Sequence, residues 1–177
     1  MELHSKNMDN QRQAVSEVEL ARLAGFFAGE GNITISGGQW PTLYAALGNT
    51  EKLWVEIFHK LFGGSMYIEE PKYLGAKRMF RWRVSGQSAV AFLRTIQPYL
   101  IGEKAEQLKL GLEFQMLKSN EIPKGGKNRK IRETTWDKLQ QFREDMKNLR
   151  RAAAETNRRD ATPWRSDSPT LEVIPVS

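Results

Sequence analysis

Apolar residues recur every three or four positions in some segments of the chain and alternate with polar residues in others. The first pattern, with its flanking cap residues, predicts helices over residues 17–30, 51–62, 88–96, 102–118 and 134–154. The second predicts strands over residues 32–36, 40–47, 65–70 and 78–85. The order is therefore helix, hairpin, helix, hairpin, helix, helix. It indicates an α+β fold in which helices cover the apolar face of one four-stranded antiparallel sheet.

Cap and turn residues predict where several of these elements begin and end. Ser16 and Glu19 form an S-x-x-E capping box in front of the first helix. We expect Gly31 to end that helix in the left-handed conformation. Thr50 is expected to cap the second helix, and the glycine pair at 37–38 is typical of a hairpin.

Composition divides the chain into a polar arm, a core and a basic C-terminal part. We expect a disordered arm over residues 1–14 and the folded core over residues 15–118. Residues 119–154 are expected to form a basic linker followed by an appended helix. Residues 155–177 are expected to be a disordered tail.

The first helix contains residues that are unusual for a surface helix. Residues 23–31 read L-A-G-F-F-A-G-E-G, and two glycines inside a helix cost roughly 1 kcal/mol each relative to alanine. Close approach of a second helix usually offsets that cost. The small residues of the expected helix–helix contact are Ala21, Gly25 and Gly29 on one strip, with Ala24 and Ala28 beside it.

Glu30 ends this helix at the negative end of the helix dipole, a loss of roughly 0.3–1 kcal/mol. If two copies of the helix cross, two such carboxylates lie near each other and require cations. The alternative is an ordinary buried helix whose terminal glutamate is solvated or paired with a lysine. Because no aspartate occurs between Asp9 and Asp137, a metal site in the core must use Glu, carbonyls, water or substrate phosphate, which suits Mg²⁺.

The same run of residues resembles the motif of the LAGLIDADG homing endonucleases. Glu30 stands where that family has its essential acid, and Ala28 replaces the first acidic letter of the motif. The segments N-T-E, F-G-G and Q-P-Y-L-I-G at 49–51, 62–64 and 97–102 strengthen the resemblance. The positions that match the motif itself are Leu23, Ala24, Gly25, Gly29 and Gly31.

The resemblance implies a site-specific endonuclease that cuts both strands of a long pseudo-palindromic DNA target. Because the chain has a single motif, it also implies a homodimer through the motif helix. Mg²⁺, or another hard divalent cation, would be held at Glu30 and Gly29. Glu51 falls where the family often has a water-positioning group, although it is equally a helix N-terminal carboxylate. Lys104 falls near the family's active-site lysine, with Glu103 as the alternative register.

The polar face of the predicted sheet offers hydrogen-bonding side chains that could read base edges in a major groove. Lys72, Lys77 and Arg78 on the following loop are expected to contact phosphates. An ordinary solvated sheet surface is the alternative, and Glu69 and Glu70 weaken the DNA interpretation. The other residues expected to bind DNA are Thr34, Ser36, Gln39, Trp40, Thr42, Tyr44, Tyr67, Arg81 and Arg83.

Charge and composition agree with a nucleic-acid partner but do not identify it. The 177-residue chain has a net charge of +6, with the excess in residues 119–159, which favours a polyanion. It has no cysteine and two histidines, so a thiolate zinc site and a histidine-based nuclease motif are disfavoured. No signal peptide or membrane span is evident, so an intracellular, reducing compartment and no membrane association are expected.

Two other functions remain open from the sequence. A sequence-specific nucleic-acid binder, such as an RNA splicing maturase, could use the same fold without cutting. A dimerising interaction protein without a nucleic-acid role is the third possibility. Glu30 favours cutting, since a binder has no need for a carboxylate opposed by the helix dipole.

Overall fold

The computed structural model describes residues 15–37, 40–71, 73–122 and 133–160. Its elements follow the predicted order closely, with a short 3₁₀ turn at Gln97–Tyr99. The helices are α1 (Glu17–Glu30), α2 (Lys52–Phe62), α3 (Gly86–Ile96), α4 (Gly102–Glu121) and α5 (Glu133–Asp160). The strands are β1 (Gly31–Ser36), β2 (Thr42–Asn49), β3 (Ser65–Glu69) and β4 (Met79–Ser85).

The strands form one antiparallel sheet in the order β1-β2-β4-β3. Ile33 pairs with Ala45, which pairs in turn with Val84 on β4, so apolar residues line up across one face. These side chains are buried beneath the helices that pack on that face. The predicted α+β fold with a helix-covered sheet is confirmed.

An aromatic cluster joins the helices to the sheet. Neighbouring rings have centroids 4.8 to 6.3 Å apart. Trp82 is fully buried, and its indole Nε1 donates to the carbonyl of Gly63, 2.7 Å away. Rings of this size bury 150–250 Å² each and so contribute strongly to the core. The cluster consists of Phe27, Phe58, Phe62, Trp82 and Phe92.

α1 ends at Glu30 as predicted, but the roles expected of two cap residues were wrong. Gly31 is extended (φ −84°, ψ 160°) and already belongs to β1, so its role is not a left-handed turn. A Cβ at this position would overlap the ring and the carbonyl of Phe27, which explains the glycine. Thr50 does not cap α2, because Glu51 occupies the N-cap position and Asn49 Oδ1 accepts the Glu51 backbone N–H at 2.8 Å.

The C-terminal helix α5 packs on the core instead of extending away from it. Leu139 and Met146 are buried, and the rings of Phe142 and Phe114 meet edge to face at 6.2 Å. α5 continues to Asp160, so the prediction of a disordered tail was wrong for residues 155–160. No proline or glycine interrupts that stretch, which permits the helix to continue.

None of the described helices combines the length and the apolar character needed to span a membrane. The predicted arm at 1–14, residues 123–132 of the predicted linker and residues 161–177 lie outside the described residues. The predicted linker began at residue 119, whereas α4 continues to Glu121.

Candidate functional site

The exposed side of α1 presents small residues. Ser16 Oγ accepts the Glu19 backbone N–H and starts the helix as the capping box predicts. Leu23 and Phe27 then face the core, which turns Ala21, Ala28 and the two helical glycines outward. Ala24 differs from the prediction, because it is fully buried in its own chain and does not lie on the exposed strip.

Among the described residues, the glycines of α1 have no packing role. A Cβ placed on Gly25 or on Gly29 would meet no atom within 4 Å. Alanine would therefore fit at both positions and would favour the helix by roughly 1 kcal/mol each. Val18, on the same helix, leaves 81% of its surface exposed. An apolar strip with two helix-weakening residues is thus open to solvent.

Glu30 lies at the exposed C-terminal end of α1. The last turn contains no basic residue, so nothing within the helix offsets the carboxylate's unfavourable position at the negative end of the dipole. A cation from elsewhere in the fold is present nearby. Lys104 Nζ donates to the carbonyl of Gly31, the next residue, at 2.8 Å.

Lys104 reaches this position from the first turn of α4. Burial lowers the pKa of its ammonium group below the usual 10.5, the Glu103 carboxylate opposes that shift, and the positive charge of Arg150 adds to it. The Glu103 carboxylate instead accepts a hydrogen bond from Gln107. Of the two registers left open by the sequence, it is therefore Lys104 that meets the end of α1.

Glu51 lies at the same end of the β1–β2 ribbon. β1 begins at Gly31, opposite Leu47, and β2 continues past that pair to Asn49. Glu51 follows as the exposed N-cap residue of α2. Glu30, Glu51 and Lys104 thus lie at the same end of the β1–β2 ribbon, which we call the carboxylate pole.

The carboxylate pole offers few metal ligands from one chain. Within the described residues, no group of three or more His, Cys, Asp or Glu is arranged to hold a metal ion. Glu30 and backbone carbonyls such as that of Gly29 are hard oxygen donors. This donor set fits Mg²⁺, which commonly takes one or two carboxylates and completes its shell with water and substrate phosphate.

The polar face of the sheet opposes the helices. Its register pairs Thr34 with Tyr44 and Tyr67 with Arg81, on the side away from the buried residues. The residues that share this face, as predicted from their alternation, are Thr34, Ser36, Thr42, Tyr44, Tyr67, Arg81 and Arg83.

The basic residues of this face and its loop differ in their partners. Arg81 is paired with Glu69 at 2.7 Å, and Arg78 with Glu70 at 3.2 Å. Arg83 lies over the ring of Tyr44, 4.9 Å from its centroid. Trp40 and Lys77 are exposed. The predicted contacts Gln39 and Lys72 fall outside the described residues.

Two residues that organise these surfaces, Lys118 and Arg150, were not predicted from the sequence. Lys118 Nζ donates to the carbonyl of Pro41 at 2.5 Å and to Thr42 Oγ1 at 3.3 Å, and burial lowers the pKa of its ammonium group. It thereby fixes the start of β2 from the far end of α4. Arg150 is exposed on α5 and acts on Lys104 through its charge. The apolar spacing of the predicted helix over residues 134–154 indicates that one of its faces is packed, but not which residues it meets.

Comparison with solved structures identifies proteins with the same fold. The DNA-bound archaeal intron-encoded homing endonuclease I-Vdi141I matches with a TM-score of 0.59 and 12% identity, over 75% of this chain and 84% of its own. The homing endonuclease I-TnaI matches with a TM-score of 0.57 and 12% identity, over 77% and 96%. No protein-family model and no curated protein sequence matches the chain.

A third match compares this chain with a longer protein. The LAGLIDADG meganuclease I-AabMI, solved on uncleaved DNA, matches with a TM-score of 0.53 and 18% identity. The match covers 70% of this chain but 43% of I-AabMI, so the chain corresponds to less than half of that protein. At these identities the likeness concerns the fold: the chain folds like the LAGLIDADG homing endonucleases.

Proposed function

We propose that this protein is a homodimeric, Mg²⁺-dependent DNA endonuclease that cuts both strands of a long pseudo-palindromic site. The observation that carries the proposal is the pair of glycines on α1 that no packing among the described residues explains. They lie directly before an exposed carboxylate at the end of the same helix. The fold shared with DNA-bound homing endonucleases supports it.

The dimer would form by close crossing of two α1 helices. Because Gly25 and Gly29 lack side chains, the two backbones can approach closely and gain van der Waals contact along the strip. Ala21 and Ala28 extend the strip, and Ala24 supports it from within the core. A two-fold axis at this crossing brings the two Glu30 carboxylates together, one for each DNA strand.

The carboxylate pole would then perform the hydrolysis. Glu30 and the carbonyl of Gly29 would hold Mg²⁺, which polarises a phosphoryl oxygen and lowers the pKa of a bound water. Lys104 would stabilise the negative charge that develops on the phosphate, and its bond to Gly31 orients it toward the end of α1. Glu51 would position the attacking water from the N-terminus of α2.

The polar face of the sheet would lie in the major groove, where base edges present distinct donors and acceptors. Thr34, Ser36, Thr42, Tyr44, Tyr67, Arg81 and Arg83 would contact base edges. Trp40, with Gln39 at the β1–β2 turn, would extend the contact. Lys72, Lys77 and Arg78 would neutralise phosphates and set the position of the protein on the duplex.

The other proposals follow from this one. We expect residues 15–118 to act as the endonuclease core, with the basic C-terminal part supporting it. We also expect an intracellular, reducing environment and a gene associated with an intron or intein. An RNA splicing maturase or a non-cutting binder on the same fold is the second candidate, which the basic composition also suits.

Glu30→Gln tests the proposed cleavage. The unmodified protein is incubated with Mg²⁺ and a library of long duplexes, and cleaved ends are sequenced. Cleavage at defined sites that disappears in Glu30→Gln, with duplex binding retained, supports the proposal. Glu113→Gln, an exposed change of the same kind on α4, should cut normally.

Two other outcomes would contradict the proposal. Tight DNA or RNA binding without cleavage by the unmodified protein would favour the binder. Binding that is absent or independent of salt would exclude both, because each neutralised phosphate should contribute about −0.9 to the slope of log K against log salt.

A further inference from the structure

An acidic residue, Glu69, lies on the polar face at the end of the edge strand β3, where a DNA-binding surface should repel it. Arg81 on β4 donates from Nε to Glu69 Oε2 at 2.7 Å, and its NH2 forms an ion pair with the same oxygen at 2.7 Å. Both side chains are about two-fifths exposed, at 41% and 38%. An ion pair this exposed contributes little to stability, so folding alone does not explain its presence.

The neighbouring strand makes room for the same arginine. Gly48 on β2 is the register partner of Arg81, and a Cβ on it would lie 2.8 Å from Arg81 NH1 and 3.0 Å from its Cδ. Glycine inside a strand is unfavourable relative to alanine, because it loses more backbone entropy on folding. A glycine on one side and a carboxylate on the other therefore hold the guanidinium in one orientation over the sheet.

This arrangement fixes which hydrogen-bonding groups the pair can offer. The Nε–NH2 edge of Arg81 faces Glu69, so NH1 and the second N–H of NH2 remain as donors. Both contacts are with Oε2, so Oε1 of Glu69 keeps its capacity to accept. The pair thus places a donor and an acceptor side by side. Because both side chains are already held in the free protein, less side-chain entropy is lost when the pair binds a ligand.

We propose that Glu69 and Arg81 together read one G·C base pair in the major groove. Arg81 donates to guanine, whose O6 and N7 are acceptors, while Glu69 accepts from the amino group of the paired cytosine. Glu69 also positions Arg81, since it fixes the guanidinium. A thymine O4 facing the carboxylate would repel it, so an A·T pair in the same orientation is disfavoured. The inference rests on the proposed function and names a specificity-determining pair within it.

Glu69→Gln tests the pair, with Glu70→Gln as its matched control. Glu70 is the next residue, carries the same charge and pairs with Arg78 beyond the end of β3. Each full-length variant selects duplexes from a randomised library without divalent metal, and the retained duplexes are sequenced. A good bidentate contact discriminates by roughly 1–3 kcal/mol, so Glu69→Gln should lower the preference at one G·C position at least about fivefold. Both variants should gain affinity for non-specific DNA equally, because each removes one negative charge.

Gly48→Ala provides an independent variant, because its methyl group would displace the Arg81 guanidinium while Glu69 stays in place. It should relax the same position in the selected sequence, and thermal unfolding confirms that it is folded. Unchanged base preferences in Glu69→Gln, or the same change in Glu70→Gln, would overturn the inference and leave the proposed function standing. Failure of the unmodified protein to bind duplex DNA would overturn both.

Discussion

At the scale of single residues, Lys104 joins the start of α4 to the end of α1 through one hydrogen bond, from its Nζ to the Gly31 carbonyl. The bond places a positive charge beside the negative end of the α1 dipole, where a cation is favourable. Burial nevertheless lowers the pKa of the ammonium group, and Arg150 adds to that shift against the opposing Glu103. The residue is thus held in place at a cost that depends on pH.

Lys104→Met should show how the cost of burying the Lys104 ammonium group changes with pH. In the folded protein Lys104 releases its proton at a lower pH than the usual 10.5, so the unfolded chain binds more protons between the two values. The free energy of unfolding of the unmodified protein, relative to Lys104→Met, should therefore rise with pH as pH approaches 10.5 and stay level near neutrality. Urea unfolding measured at a series of pH values checks this, and a relative stability that falls in this range would contradict it.

At the scale of elements, α4 serves two functions in the structure. Its first turn supplies Lys104 to the carboxylate pole, and its last turn supplies Lys118 to the start of β2. Between them Gly111 faces Leu43 so closely that a Cβ would lie 2.8 Å from the leucine Cδ1. α5 packs along α4 and against β1, with Thr135 bonded to Glu121 at one end and Arg150 near Lys104 at the other. Both ends of the candidate surface therefore depend on one helix pair.

Met146→Ala should show that α5 belongs to the cooperative fold. Met146 is 1% exposed, and truncation of a buried methionine costs about 2–5 kcal/mol. Met116→Ala on α4, where the side chain is 62% exposed, should change the free energy of unfolding by less than about 0.5 kcal/mol. Urea unfolding compares the two. Equal, small losses would mean that α5 folds separately from the core.

At the scale of the whole molecule, one chain presents three surfaces with different partners in the proposal. The exposed strip of α1 would bind a second copy, the polar face of the sheet would bind DNA, and the carboxylate pole would hold Mg²⁺. The two-fold axis of the dimer would repeat the polar face and the pole, which matches a target with two-fold pseudo-symmetry. The net charge of +6 would speed association with a polyanion.

Gly25→Leu should block the proposed dimer. Its side chain enters a strip that is open in the single chain, so the protomer should fold while the two helices are held apart. Light scattering should then report a monomer, where the unmodified protein is a dimer. Ala91→Leu adds the same side chain at an exposed position of α3 and should leave the dimer intact. A normal dimer in Gly25→Leu would contradict the crossing of α1 helices.

Much of the fold could be predicted from the sequence because it is recorded in local patterns. Alternating residues on β1, β2 and β4 gave the two faces of the sheet, as the pairing of Ile33 with Ala45 confirms. Ser16 gave the start of α1. The errors came at glycine and cap positions. Gly31 and Thr50 have the residue types of common caps, but their actual roles depend on Phe27 and Asn49.

The sequence by itself determined the elements, their order, the composition of the polar face and the unusual run at 23–31, since these depend on neighbouring residues in the chain. Only the tertiary structure decided that Lys104 meets the end of α1, that Ala24 is buried and that Glu69 holds Arg81 over Gly48. Each of these contacts joins different elements. Their distances follow from packing and strand register, which no local pattern specifies.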